Sequence, residues 1–355
     1  CFLKMVDTLN TFAPNAESRP FDTIQSLTLD FTVLWEEPTL PSESAFHSIP
    51  TSITSLELSL PAHNDAFGSS YTQSAPLHLP PQLLRKLTSF SICCDWNGGL
   101  QFMTALPHCV NVENLTIDLN DNVGWWYNYD PFIQRFRTGG LLLPKLRTLS
   151  LKRASPASDG IIELLKTPSL EALNIHFSAS YDHLEDYDFA PVLHKFLNNR
   201  SQCAATFRSL RLECLGLTGI DFQTLLLGLP TITHLVLDQV DIWFSDHEVL
   251  FHLTAKDQKI LPNLESLKIM GLTPEWAEDS TRLAEFLSAR RNYIYANVEK
   301  DSVIFVEPPD SLKELVLNFR RTKRFESHDL DNDTLVKSFR QDCRVLFNIG
   351  ALLFQ

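Results

Sequence analysis

No apolar run in this chain of 355 residues approaches the roughly 18 needed to span a bilayer as a helix, so no membrane span is expected. Its seven cysteines, at 1, 93, 94, 109, 203, 214 and 343, contain no C-x-x-C pair, the spacing that zinc and dithiol redox motifs use. Odd in number and scattered, they fit a reducing compartment. Positive charge is also short. Lys+Arg 30 against Asp+Glu 43 leaves a formal charge of −13, which repels a phosphate backbone. The dense basic cluster Arg320, Arg321, Lys323 and Arg324 reads as a solvated turn, and nucleic acid is set aside as a partner. The chain opens at Cys1 with neither a methionine nor a secretory signal, and is read as an intracellular protein, cytoplasmic or nuclear; whether an upstream piece precedes Cys1 is left open. Three sequons, beginning at Asn114, Asn199 and Asn332, pull the other way, towards secretion.

What is present is an ordered composition: 44% hydrophobic and 21% charged residues. The length exceeds that at which one compact core stops growing, so two domains or an elongated array are expected. A short phrase, apolar-x-x-apolar-x-apolar, recurs ten times. Its anchors are Ile24/Leu27/Leu29, Ile53/Leu56/Leu58, Leu87/Phe90/Ile92, Val112/Leu115/Ile117, Leu146/Leu149/Leu151, Leu170/Leu173/Ile175, Phe207/Leu210/Leu212, Ile232/Leu235/Leu237, Leu264/Leu267/Ile269 and Leu312/Leu315/Leu317. Pro144, Pro168, Pro230 and Pro262 stand two places before a first anchor, where proline ends a helix and extends the chain. Each phrase therefore starts as a strand. Between phrases, Phe132/Ile133/Phe136, Val192/Leu193/Phe196/Leu197, Phe222/Leu225/Leu226/Leu229 and Val249/Leu250/Leu253 keep helical spacing, with Asp130-Pro131 and Asp221 as start signals. Strand, return helix, strand gives parallel strands, and a unit that cannot cover its own strand must stack on the next.

The phrase resembles the leucine-rich repeat, L-x-x-L-x-L, over roughly residues 20 to 320, and implies an α/β solenoid with a curved parallel sheet on the concave side and short irregular helices outside. Where that family carries Asn or Cys three places after the third anchor, only Asn120 fits, so an asparagine ladder is mostly absent. Such irregular repeats resemble those of fungal-type F-box proteins, which implies a substrate-recruiting role in a ubiquitin ligase and an adaptor reached through a missing N-terminal domain. No L-P-x-E-[LI] start precedes the first repeat. Residues 1–20 are expected to form a helical cap through Phe2, Met5, Val6 and Leu9, residues 21–320 the repeats, and residues 321–355 a second cap through Leu335, Phe339, Cys343 and Leu346. Between Ile269 and Leu312 a helix (Trp276, Leu283, Phe286, Leu287) precedes NYIYANVEKDSVIFV, a hairpin that is either an insertion or a degenerate repeat.

Residues between the anchors would line the concave surface, about 4.8 Å apart from strand to strand. One column is small and hydroxylic: Ser26, Ser55, Ser89, Asn114, Thr148, Ala172, Ser209, His234, Ser266, Glu314. Another carries a charge ladder, Asp118, Lys152, His176, Glu213 and Asp238, with Arg211 beside it. It reads either as mutual solvated pairing or as a polar recognition strip. Ser150, His176 and Asp118 come nearest to a hydrolase triad, but a flat sheet offers no nucleophile turn or oxyanion hole, so no enzyme is expected. His176, Glu213 and Asp238 lack a further ligand, and no metal or cofactor is expected.

The long connections HNDAFGSSYTQSAP, DNVGWWYNYDPF, SASYDHLEDYDF and DQVDIWFSDHEV each leave a strand's end, which would place them on one rim. Trp125, Trp126, Tyr127, Tyr129, Tyr181, Tyr187, Trp243 and Phe244 would gather there among carboxylates, suiting a basic, partly apolar protein segment. The competing reading tucks these rings onto their own repeats. The functional expectation is a protein-protein interaction module; the alternative is a secreted or surface repeat protein that recognises an extracellular peptide or glycan.

Overall fold

The computed structural model describes residues 3, 5, 6, 8, 21, 23–31, 40–60, 77–93, 104–119, 131–154, 160–178, 189–243, 260–272, 286, 290, 293–297, 302–305, 311–319, 336, 337, 340 and 343–349. At 131–134, 160, 243, 293–297, 302–305, 348 and 349 it describes the backbone alone. The chain forms two compact units, Cys1–Ser178 with Lys195–Cys203 and Ala179–His194 with Ala204–Gln355.

Each phrase makes one strand of a parallel sheet, six strands in the first unit and five, counting one more described below, in the second. The first unit holds β1 (Ser26–Asp30), β2 (Ser55–Ser59), β3 (Ser89–Cys93), β4 (Asn114–Asp118), β5 (Thr148–Ala154) and β6 (Ala172–Phe177). The second holds β7 (Ser209–Glu213), β8 (His234–Asp238), β9 (Ser266–Leu272), β10 (Glu314–Phe319) and β11 (Arg344–Ile349). Within each unit neighbours pair in parallel and in chain order, with second anchors opposite second anchors: Leu27, Leu56, Phe90, Leu115, Leu149 and Leu173 form one such row. One parallel strand per repeat, in sequence order, is the α/β leucine-rich-repeat fold. Side chains two apart share a face, and every anchor of the second to tenth copies is at most 2% exposed. Truncating one such Leu to Ala costs about 2–5 kcal/mol.

Two further positions recur. A fourth apolar side chain follows the third anchor, buried two places on at Leu60, Leu119, Phe177 and Phe319, or three places on at Ala154, Leu215 and Leu272. In these last three repeats the extra residue is Arg153, Cys214 or Gly271, at φ 49°, 57° and 77°. A left-handed residue there absorbs the added length and lets the next apolar side chain turn inward. The residue just before the first anchor is polar in all ten copies, and in seven its side chain donates to a carbonyl at the start of the preceding repeat. Examples are Ser52 to Ile24 (2.8 Å), Asn111 to Arg85 (2.6 Å), Ser169 to Pro144 (2.7 Å) and Thr231 to Ala204 (2.7 Å). These bonds tie each turn to the carbonyls of the turn before it.

The α-helices whose bounds the described residues set include α1 (Pro81–Leu84), α2 (Pro131–Gly139), α3 (Gly160–Leu164), α4 (Phe189–His194, continued by a π-helical turn Lys195–Arg200) and α5 (Gly219–Leu227). Pro131 opens α2 as expected, while Asp130 lies outside the described residues. The start of α5 differs from the expectation. Thr218 is its N-cap, accepting from Asp221 N–H at 3.1 Å, because Asp221 already sits in the third helical position. The buried Asp221 carboxylate instead accepts from Phe189 and Ala190 N–H, both at 3.1 Å, and so caps the neighbouring α4. Phe222, Leu225, Leu226 and Leu229 are all buried. Val249, Leu250 and Leu253 lie outside the described residues.

At the amino end Leu3 and Val6 are buried and Met5 is exposed, so the stripe is rotated from the expected one; Phe2 and Leu9 lie outside the described residues. At the carboxyl end the expected stripe through Cys343 and Leu346 meets a strand, not a helix. β11 pairs in parallel with β10, placing Val345 and Phe347 opposite the anchors Leu315 and Leu317. This eleventh copy departs from the phrase because Asp342 occupies its first anchor. The strands Tyr293–Asn297 and Ser302–Phe305 form the expected antiparallel hairpin. Since β9 pairs directly with β10, the hairpin is an insertion rather than a repeat. Among the described residues no helix is long and apolar enough to cross a membrane.

Candidate functional site

Parallel sheets are usually covered on both faces. Here the anchor face is buried from β2 to β10, while the opposite face keeps solvent access. In β2 to β6 the alternate positions, from Ser55, Glu57 and Ser59 to Ala172, Asn174 and His176, are all half-exposed or exposed. In the first unit this face is a lawn of hydroxyls and amides. Thr28 Oγ1 donates to Glu57 Oε2 at 3.2 Å, and Asn174 Nδ2 donates to Ser150 Oγ at 3.1 Å. In the second unit it is mixed: Arg211, Lys268 and Glu314 stand among Val236, Met270 and the buried Val316.

The expected ladder is divided between the units. In the first, register sets Asp118 opposite Lys152, but the extra residue in β5 shifts the pairing with β6 after Leu151. The left-handed Arg153 thereby reaches the open face, where its Nε lies 2.7 Å from Asp118 Oδ1 and its NH2 3.3 Å from Cys93 Sγ. Burial, and then the Asp118 carboxylate, push the Cys93 thiol up, with Arg153 opposing them. Lys152 is exposed and His176 half-buried. In the second unit Glu213 lies opposite Asp238, and Arg211 bridges them, Nε to Glu213 Oε2 at 3.4 Å and NH2 to Asp238 Oδ2 at 3.3 Å.

Sequence reasoning missed a second network. Glu314 accepts from Ser266 Oγ at 2.9 Å and pairs with Lys268 at 3.1 Å and Arg344 at 3.7 Å. The Ser266 and then the Lys268 hydrogen bonds hold its carboxyl below the usual glutamate range. Each network pairs unlike charges close to solvent, so its energy is small, under about 1 kcal/mol per pair, and its effect is to hold side chains in place. Arg153 was missed because it follows the alternation by one residue. Its signal is the added residue before Ala154.

The triad-like residues are engaged elsewhere: Ser150 with Asn174, and Asp118 with Arg153. Of the aromatic rim, Trp125, Trp126, Tyr127, Tyr129, Tyr181, Tyr187 and Phe244 lie outside the described residues. Trp243 is described by its backbone, which ends the short strand Asp241–Trp243. That strand runs parallel to Gly216–Thr218 and places Trp243 opposite Thr218, the N-cap of α5.

The chain is similar to a leucine-rich repeat-containing protein, LegL7 of Legionella pneumophila. Identity is 14% and the TM-score 0.45, over 92% of this chain and 95% of that one. No family model and no curated protein matches it. The fold assignment rests on the strand register itself.

Proposed function

We propose that the chain is a protein-interaction module that holds a protein partner on the open face of its sheet, flanked by its aromatic loops. The observation that carries this reading is the solvent-accessible face of a parallel sheet, an arrangement that ordinarily ends in a covering layer. Its polar side chains are fixed by mutual pairing, which lowers the ordering cost of binding. On this reading Asp118, Lys152, His176, Arg211, Glu213 and Asp238 set register, and Trp125, Trp126, Tyr127, Tyr129, Tyr181, Tyr187, Trp243 and Phe244 supply contact area. The role as substrate receptor of an intracellular F-box-type ubiquitin ligase rests on the resemblance of the repeats and implies an adaptor bound through an upstream domain. No turnover is expected, and His176→Ala should leave any measured activity unchanged.

The test is quantitative capture from the native source. Ser91→Arg with Ser150→Arg should remove the specific partner at unchanged thermal stability, whereas Gln223→Arg on α5 should not. Trp125→Ala with Trp126→Ala should weaken the complex without lowering Tm; equal loss of folding would assign these rings to the core. The second reading, an extracellular protein, draws on the exposure of Asn114 and Asn199 within their sequons. It requires a native mass above 40.4 kDa, and an unmodified mass removes it.

A further inference from the structure

Taking the open face as the binding surface, we infer that its β1 to β4 part receives an extended, lysine- or arginine-bearing segment of a protein partner. The four strands and their flanks, 23–31, 52–60, 86–93 and 111–119, contain carboxylates and a single base, Lys86, which lies before the first anchor of its strand and donates to Thr51 O at 2.9 Å. Arg153 neutralises Asp118 from the β5 side. Asp30 and Glu57 remain exposed on adjacent strands, Asp30 opposite Ser59 and Glu57 opposite Thr28, so they are diagonal neighbours, one strand across and two residues along, roughly 8 Å apart. The ground beside them, on β2 and β3, is small and hydroxylic: Ser55, Ser59, Ser89 and Ser91. A hydroxyl both donates and accepts, so it can satisfy the N–H and C=O groups of an extended backbone. No apolar side chain other than Cys93 stands on this part of the face to seat an apolar anchor. Lys152, exposed on β5, repels a cation and bounds the field on that side. The chain's charge of −13 adds attraction from a distance, while Asp30 and Glu57 give it an address.

The probe is a fluorescein-labelled extended peptide of alternating Ser and Lys, with Ser–Glu and Ser–Gln peptides of equal length beside it, followed by anisotropy at low and physiological salt. The Ser–Lys peptide should bind, more weakly in salt, and the other two should not. Asp30→Asn with Glu57→Gln should weaken it about fivefold or more, while Glu43→Gln with Glu163→Gln, which removes the same charge elsewhere on the first unit, should not. Equal weakening by both pairs would reduce the effect to net charge and overturn the inference, as would equal binding of the neutral peptide or no binding of the cationic one. Partner capture that survives Asp30→Asn with Glu57→Gln but fails with Ser91→Arg and Ser150→Arg would keep the interaction face and remove only its cationic ligand. Capture that survives both would remove both.

Discussion

A β-carbon on Gly228 would stand 1.7 Å from His194 Nε2. This glycine is required by the approach of a ring and not by its own backbone, which sits at φ −79° just after α5. Its neighbour is an imidazole on a helix packed against α5, whose Nε2 lies 3.4 Å from Leu225 O. Gly228→Ala should therefore cost about 1–3 kcal/mol, the usual penalty of overpacking. Urea melts measure it, and His194→Ala in the same chain should return part of the loss. Cysteines separate on the same scale. Burial pushes the Cys109 thiol up to about 12 and that of Cys203 to about 11. At neutral pH both remain protonated and out of reach, so iodoacetamide followed by peptide mass mapping should leave them unlabelled in the folded protein and label them in urea. Labelling of either at native rates would contradict the packing described.

At the level of the element, the strands were legible because in nine of the ten copies all three anchors are buried, and burial leaves an apolar signature with a fixed spacing. What the phrase does not carry is whatever varies in length or chemistry. The fourth buried position slips by one residue wherever Arg153, Cys214 or Gly271 is inserted. The turn ladder is filled by Ser, Thr, Asn and Lys alike, since any side-chain donor serves a carbonyl. β11 has lost its first anchor to Asp342. Asp221 looked like a cap for its own helix because a lone Asp before Phe222 cannot say which N–H groups it will meet.

Ion pairs between strands were least legible of all, and Glu314 tests their worth. Folding holds its carboxyl below the usual range, so its stabilisation is complete above the unfolded glutamate value and fades as pH falls through the folded one. Glu314→Gln should thus lower stability at neutral pH by up to about 1 kcal/mol, and the gap from the parent chain should close in acid. A gap that persists at low pH would assign the effect to packing.

Across the whole molecule, composition and spacing fixed the class of fold, because a tenfold apolar phrase admits few arrangements. The binding face left little trace. Its positions are small, polar and free to vary, and their meaning comes from register, which only the paired strands supply. Electrostatics follows the same division. The chain carries −13, and self-repulsion of that size opposes compaction until salt screens it. Working against this, salt weakens the pairs Arg153–Asp118, Arg211–Asp238 and Lys268–Glu314, whose side chains are 19–44% exposed. Three such pairs contribute together at most about 3 kcal/mol, and short range protects part of that from screening. The repulsion is spread over the surface at separations near the Debye length of about 8–10 Å, where screening acts most. Tm should therefore rise from low to physiological sodium chloride. A fall would mean that the open-face pairs outweigh the global repulsion, and Asp118→Asn, Asp238→Asn and Glu314→Gln together should then turn the fall into a rise.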